Sequence, residues 1–137
     1  MWWLFYCLLW GMHMNKGYKK SEESEQVAVI EYCDLMNIPV MHVANEGKRS
    51  KAYGAKLKSM GMRPGFPDLL IVRARGKYHG FAIEMKYGKN KTTPEQDQWL
   101  WRLAQEGYAT AICYSADEAI NLIKIYDKLK GSNNESR

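Results

Sequence analysis

Acidic residues are nearly missing from the middle of this chain. Between Gly47 and Lys91 stand twelve lysines and arginines (Lys48, Arg49, Lys51, Lys56, Lys58, Arg63, Arg73, Arg75, Lys77, Lys86, Lys89, Lys91) and two acids, Asp68 and Glu84, in a protein of formal charge +5. The flanking segments are therefore net acidic. A positive field gathered into one stretch is the distribution that attracts a polyanion such as nucleic acid; a solvated basic face is the alternative that counting leaves open. Cysteine is scarce as well. Cys7, Cys33 and Cys113 are odd in number, far apart and without CxxC spacing. That argues against a disulfide framework or a zinc cage and fits a reducing, cytoplasmic compartment.

Long hydrophobic runs are also lacking. The opening MWWLFYCLLW is ten residues, short of the roughly 20 that span a bilayer, and it has neither the basic start nor the cleavage site of a signal peptide. No membrane partner is expected. Met12 and Met14 leave two readings of that aromatic segment, within residues 1–13, open: an artefact upstream of a later translation start, or an apolar segment that packs on a neighbour or a partner subunit. No Ser-His-Asp or Cys-His nucleophile spacing stands out. GKRSKAYG lacks the spacing of a Walker phosphate loop, so no nucleotide cofactor is expected.

What remains has the composition of an ordinary globular domain, 46% hydrophobic and 26% charged over 137 residues, enough to bury one core without staples. Residues 21–130 form the expected domain, with 1–20 as a leader and GSNNESR, 131–137, as a polar tail. Ser21 to Met36 predicts a helix with Ser21 as N-cap, Glu22, Glu23 and Glu25 in its first turn, and a core face of Val27, Ile30 and Cys33. Ile38 to Val43 predicts a strand and Ala52 to Met60 a short helix stopped by Gly61. Leu69 to Ala74 and Gly80 to Lys86 predict antiparallel strands joined by RGKYHG. Thr93, Pro94 and Gln96 combine N-cap, first-turn proline and capping-box partner; the strand Tyr108 to Tyr114 follows, and Ser115 with Glu118 predicts a second capping box. The order αβ(α)ββαβα is that of an α/β fold, a central mixed sheet flanked by helices.

Within it, PGFPDLLIVRARGKYHGFAIEMK sets Asp68 before one apolar run and Glu84 and Lys86 at the end of the next. Strand alternation points Glu84 and Lys86 the same way, with small Ala82 leaving space, while Phe81, Ile83 and Met85 take the other face. An antiparallel hairpin then brings Asp68 beside Glu84, although sixteen positions separate them. Oxygen ligands of this kind suit Mg²⁺ or Mn²⁺, with substrate phosphate oxygens completing the shell, and such an ion activates water and neutralises charge on a phosphodiester. Lys86 would orient or help deprotonate the water and stabilise that charge. The alternative is a surface ion pair worth at most about 1 kcal/mol.

NEGKRSKAYGAKLKSMGMRPGFPDLLI, YHGFAIEMK and TPEQDQWLWRLAQEGYATAICYSADEAINLI, in that order, resemble the VRR-NUC family of the PD-(D/E)XK nucleases, most of all the small stand-alone members carried by bacteriophages. The resemblance runs from the SEESEQVAVIEY helix over about residues 21 to 126. It implies a restriction-endonuclease-like core and a metal-dependent DNA endonuclease. Asp68 and Glu84 would be the metal ligands with the Met85 carbonyl, Lys86 the catalytic lysine, and Gln96 an active-site glutamine. A first-helix residue near the metal maps onto Glu22 and Gln26, which share a helical face, with Glu25 as rival. Lys48, Arg49, Lys51, Lys56, Lys58 and Arg63 would track the DNA backbone. Stand-alone relatives resemble homodimers that cut four-way junctions, whereas multidomain ones act on flaps. A restriction-type nuclease and a non-catalytic DNA-binding module are the other readings. His42 reads as a strand histidine, His79 as part of the YHG turn, Trp99 as core, and Trp101 as a residue to stack on a base or a second subunit.

Overall fold

Ser21 caps the first helix of the computed structural model, which describes residues 19–44 and 50–130. Its hydroxyl accepts from Ser24 N–H at 3.1 Å while Ser24 Oγ accepts from Ser21 N–H at 2.9 Å, so two main-chain donors at the start of helix α1 (Glu22–Leu35) are satisfied reciprocally. The face that α1 buries carries Val29 and Cys33, four apart. Val27, expected on that face, is 48% exposed; the helix is rotated so that the Val29 and Cys33 row meets the sheet. Asn37 takes a left-handed φ of 53° and turns the chain into Pro39.

Four strands follow one another across a mixed sheet in the order β1-β2-β3-β4. Strands β1 (Val40–His42), β2 (Leu69–Ile71) and β3 (Phe81–Met85) are antiparallel neighbours, and β3 pairs in parallel with β4 (Ala109–Cys113). Helix α2 (Lys51–Ser59) lies between β1 and β2 in sequence and buries no residue. Helix α3 (Pro94–Gln105) makes the crossover that a parallel pair needs, and α4 (Ala116–Asp127) closes the fold. Phe81, Ile83 and Met85 join Val29, Cys33, Ala119, Ile123 and Tyr126 in one core under α1 and α4. The opposite side of β3 is covered by α3, so every β3 residue is buried.

Two further expectations need correction. Strand β2 ends at Ile71, not Ala74. Val72 N–H still reaches Pro39 O at 2.9 Å, but Arg73 then turns to Asp127 Oδ1 at 2.9 Å and Asn37 O at 2.7 Å, and Tyr126 donates to the Arg73 carbonyl at 2.6 Å. The end of α4 thus draws the chain off the sheet, and the hairpin closes through an isolated Arg75 to Tyr78 bridge. At α4, Ser115 Oγ accepts from Glu118 N–H as expected, but the Glu118 carboxylate accepts from Tyr114 N–H at 2.8 Å rather than completing a capping box. Apart from Lys19 and Lys20, the leader and the tail lie outside the described residues. Among the described residues no helix is long and apolar enough to cross a membrane.

Candidate active site

The register Leu69↔Ile83 places Asp68, the residue before β2, across from Glu84. Asp68 Oδ2 accepts from Met85 N–H at 2.9 Å, which fixes the carboxylate against the end of β3. Within an extended strand the N–H and C=O of one residue face the same neighbour, so the Met85 carbonyl is directed to the edge where Asp68 stands. Lys86 Nζ lies 2.9 Å from Glu84 Oε1, their side chains 8% and 1% exposed. This overturns the surface ion pair as a reading, because both groups are inside the protein. Gln96 Nε2 donates to the same Glu84 Oε1, while Gln96 Oε1 accepts from Thr93 N–H at 2.9 Å. One side chain therefore both caps α3 and orients Glu84.

The approach of α3 is set by the loop that carries Asp68. Gly65 adopts φ +82°, and a Cβ there would stand 2.7 Å from the Glu95 carbonyl carbon and 2.8 Å from Gln96 N, so only glycine lets the loop lie on the first turn of α3. Trp99 Nε1 donates to Pro64 O at 3.1 Å, and Phe66 meets the Trp99 ring edge-on at 5.1 Å between centroids. Half-buried Trp99 is thus a strut between loop and helix.

Burial pushes the Glu84 carboxyl up to about 7, against the hydrogen bond and charge of Lys86 and with added repulsion from Asp68 and Glu22. Burial works to lower the Lys86 ammonium, but the hydrogen bond and charge of Glu84, with Glu22 and Asp68, outweigh it and raise its pKa. The two shifts differ in cause, burial for Glu84 and the surrounding carboxylates for Lys86. With three carboxylates beside one ammonium at the ends of the two central strands, the site favours any added positive charge. Glu84 Oε2 is buried with no hydrogen-bond partner, the only such side-chain atom among the described residues. An ionisable oxygen kept dry and unsatisfied is costly unless something binds it.

A hard divalent cation fits this donor set. Among the described residues no three His, Cys, Asp or Glu side chains form a complete cage, and two carboxylates supplemented by a carbonyl, water and phosphate oxygens is the way Mg²⁺ is commonly held.

A family profile described as the VRR-NUC domain matches residues 19–117. The chain belongs to the VRR-NUC family. A solved structure described as "VRR_NUC domain protein" superposes with a TM-score of 0.72 at 31% identity, covering 88% of this chain and 98% of that one. No curated protein matches. The VRR-NUC family is a nuclease family, so the chain carries a hydrolase domain whose partner is nucleic acid.

Of the first-helix residues, Glu22 is the one whose charge is felt by both Glu84 and Lys86. Half-buried Gln26 lies one turn further on. Glu25 is engaged elsewhere: its Oε2 accepts from Ala116 N–H at 2.6 Å and caps α4. Lys51, Lys56 and Lys58 are exposed along α2. Arg63 is exposed too, and donates to Lys58 O at 3.1 Å and Met62 O at 3.3 Å at the helix end. Lys48 and Arg49 lie outside the described residues. His79 is at the other end of β3, its N–H on Gly107 O at 2.9 Å and its ring against Tyr108. Trp101 is 64% exposed. His42 had no sequence signal linking it to the site, yet its Nδ1 lies 2.8 Å from the Asp68 carbonyl oxygen; the β1 to β2 register that brings them together is not written locally.

Proposed function

We infer that this VRR-NUC domain is an endonuclease that hydrolyses phosphodiester bonds of DNA with Mg²⁺ or Mn²⁺, through an activated water and without a covalent intermediate. The observation that carries the reading is the orphaned Glu84 Oε2 beside Asp68, in a site where carboxylates outnumber the single ammonium. Asp68, Glu84 and the Met85 carbonyl would hold the ion, with Glu22 close by. When bound, the ion supplies a Lewis acid that lowers the pKa of water and neutralises charge on the phosphate.

The remaining work falls to the protein's own groups. Gln96 and Lys86 fix Glu84 from two sides and so direct its second oxygen. The raised pKa of Lys86 keeps Nζ protonated at neutral pH, so in the resting protein it acts as hydrogen-bond donor and cation toward a phosphate oxygen. The exposed lysines of α2 supply backbone contacts that carry no sequence information. No element among the described residues reads as a base-contacting recognition helix, which favours selection of DNA by shape, as in four-way junctions, over selection by sequence. A homodimer suits such a substrate, because two sites related by a two-fold axis match a two-fold branch. Exposed Trp101, beside the cleft of Leu100, Ala104 and Ile112 at the free edge of β4, is the surface a second copy would cover.

The test sets a four-way junction beside a linear duplex, with Mg²⁺ or Mn²⁺, for the wild type, Asp68→Ala and Lys86→Ala. Cleavage of the junction by wild type alone, with DNA binding kept in both variants, is the expected result. Discrete bands from the linear duplex would support a restriction-type enzyme. Binding without cleavage by any form would leave a non-catalytic module and end the reading.

A further inference from the structure

Asp68 is held at both its side chain and its main chain. Beyond the bond from Met85 N–H to its carboxylate, its carbonyl oxygen accepts from Val43 N–H at 3.0 Å and meets His42 Nδ1 at 2.8 Å. A carbonyl oxygen has no proton to give, so Nδ1 carries the proton, and a neutral His42 ring keeps its lone pair on Nε2. His42 is the last residue of β1 and pairs with Leu69, so its ring reaches the peptide just beyond the final pair of the ladder. There the strand pairing no longer fixes the chain, and Val43 N–H and the imidazole take over.

We propose that His42 is a positioning residue for the cation site, acting through the Asp68 peptide to set the direction of the Asp68 carboxylate. The inference rests on the metal-dependent reading above. Its logic is a division between folding and geometry. His42 is exposed, so water replaces its bond when the ring is removed and the folded state loses little. The Asp68 carboxylate, in contrast, turns with its own main chain, and hard-cation sites lose affinity when the groups that orient a ligand are removed.

The experiment measures Mn²⁺ binding by titration calorimetry on the full chain without DNA, for wild type, His42→Ala, His42→Asn and His42→Gln, with Asp68→Ala as the control. The asparagine amide nitrogen takes the place of imidazole Nδ1, and the glutamine amide nitrogen that of Nε2. His42→Ala and His42→Gln should bind Mn²⁺ about tenfold more weakly, His42→Asn should stay close to wild type, and the cation-free urea midpoints of all three should agree with wild type. Cleavage should show the same split, with kcat falling at low Mn²⁺ while KM for DNA holds. If His42→Ala binds Mn²⁺ as wild type does while Asp68→Ala does not, the His42 role is wrong and the carboxylate site stands. Rescue by His42→Gln but not His42→Asn would also overturn it, by moving the function to Nε2. Absence of binding by wild type would remove the inference together with the reading beneath it.

Discussion

Raising the pH should destabilise this protein in the absence of divalent ions, the reverse of the usual behaviour of a paired carboxylate. Glu84 is 1% exposed and its carboxyl is pushed from 4.5 up to about 7. Between those values the folded state holds a proton that the unfolded state has released. A group raised in this way contributes its stability fully below the unfolded pKa and loses it as pH rises through the folded one. Two and a half units at 1.36 kcal/mol each amount to about 3 kcal/mol, as an order of magnitude. With a urea dependence of about 1–3 kcal/mol per molar, the midpoint should fall by roughly 1–3 M between pH 5 and pH 8 in EDTA. Burial holds the Cys33 and Cys113 thiols up at about 11 and about 12, so they do not titrate in that window. Glu84→Gln supplies the control. Whatever that variant loses by leaving Lys86 without its partner, it removes the titrating group, so its midpoint should vary much less with pH. A wild-type midpoint that is flat or rises from pH 5 to 8, or an unchanged slope in Glu84→Gln, would refute the reasoning.

The same proton predicts a linked effect: Mn²⁺ affinity should rise about tenfold per pH unit below 7 and level off above it, with proton release seen when calorimetry is repeated in buffers of different ionisation enthalpy. Gly65→Ala should cost about 1–3 kcal/mol in urea denaturation, because φ +82° and a Cβ 2.7 Å from Glu95 both oppose a side chain. Glu25→Ala should lower stability by about 1 kcal/mol through the lost cap at Ala116, with cleavage per folded molecule unchanged; a loss of cleavage at full stability would make Glu25 the first-helix acid of the site. Changing Lys51, Lys56 and Lys58 together to Gln should reduce the salt slope of duplex binding by up to about 2.7, one phosphate contact each, measured by fluorescence anisotropy against salt.

Local chemistry carried most of what the sequence made legible. The Thr93, Pro94 and Gln96 cap formed as expected because all its bonds lie within one turn. Asp68, Glu84 and Lys86 converged because a short hairpin and strand alternation determine each other. The α/β architecture and family followed from motifs in order along the chain. What stayed hidden depends on distant partners. Strand β2 is cut short by Asp127 and Tyr126, more than fifty positions away. The task of Glu25 is fixed by Ala116, 91 positions on. The exposure of Val27 reflects a helix rotation that a weakly amphipathic sequence does not specify, and the contact of His42 with Asp68 follows from a register between strands 26 positions apart.

Helix α2 buries nothing, which separates two kinds of evolutionary change in this domain. Substitutions in the sheet or in α3 trade stability against chemistry, since the same side chains serve both. Helix α2 is under no such constraint. Its exposed side chains can gain or lose charge without the core registering it, so under the proposed DNA-contact role of its lysines, substrate preference would be free to change while Asp68, Glu84 and Lys86 stay as they are.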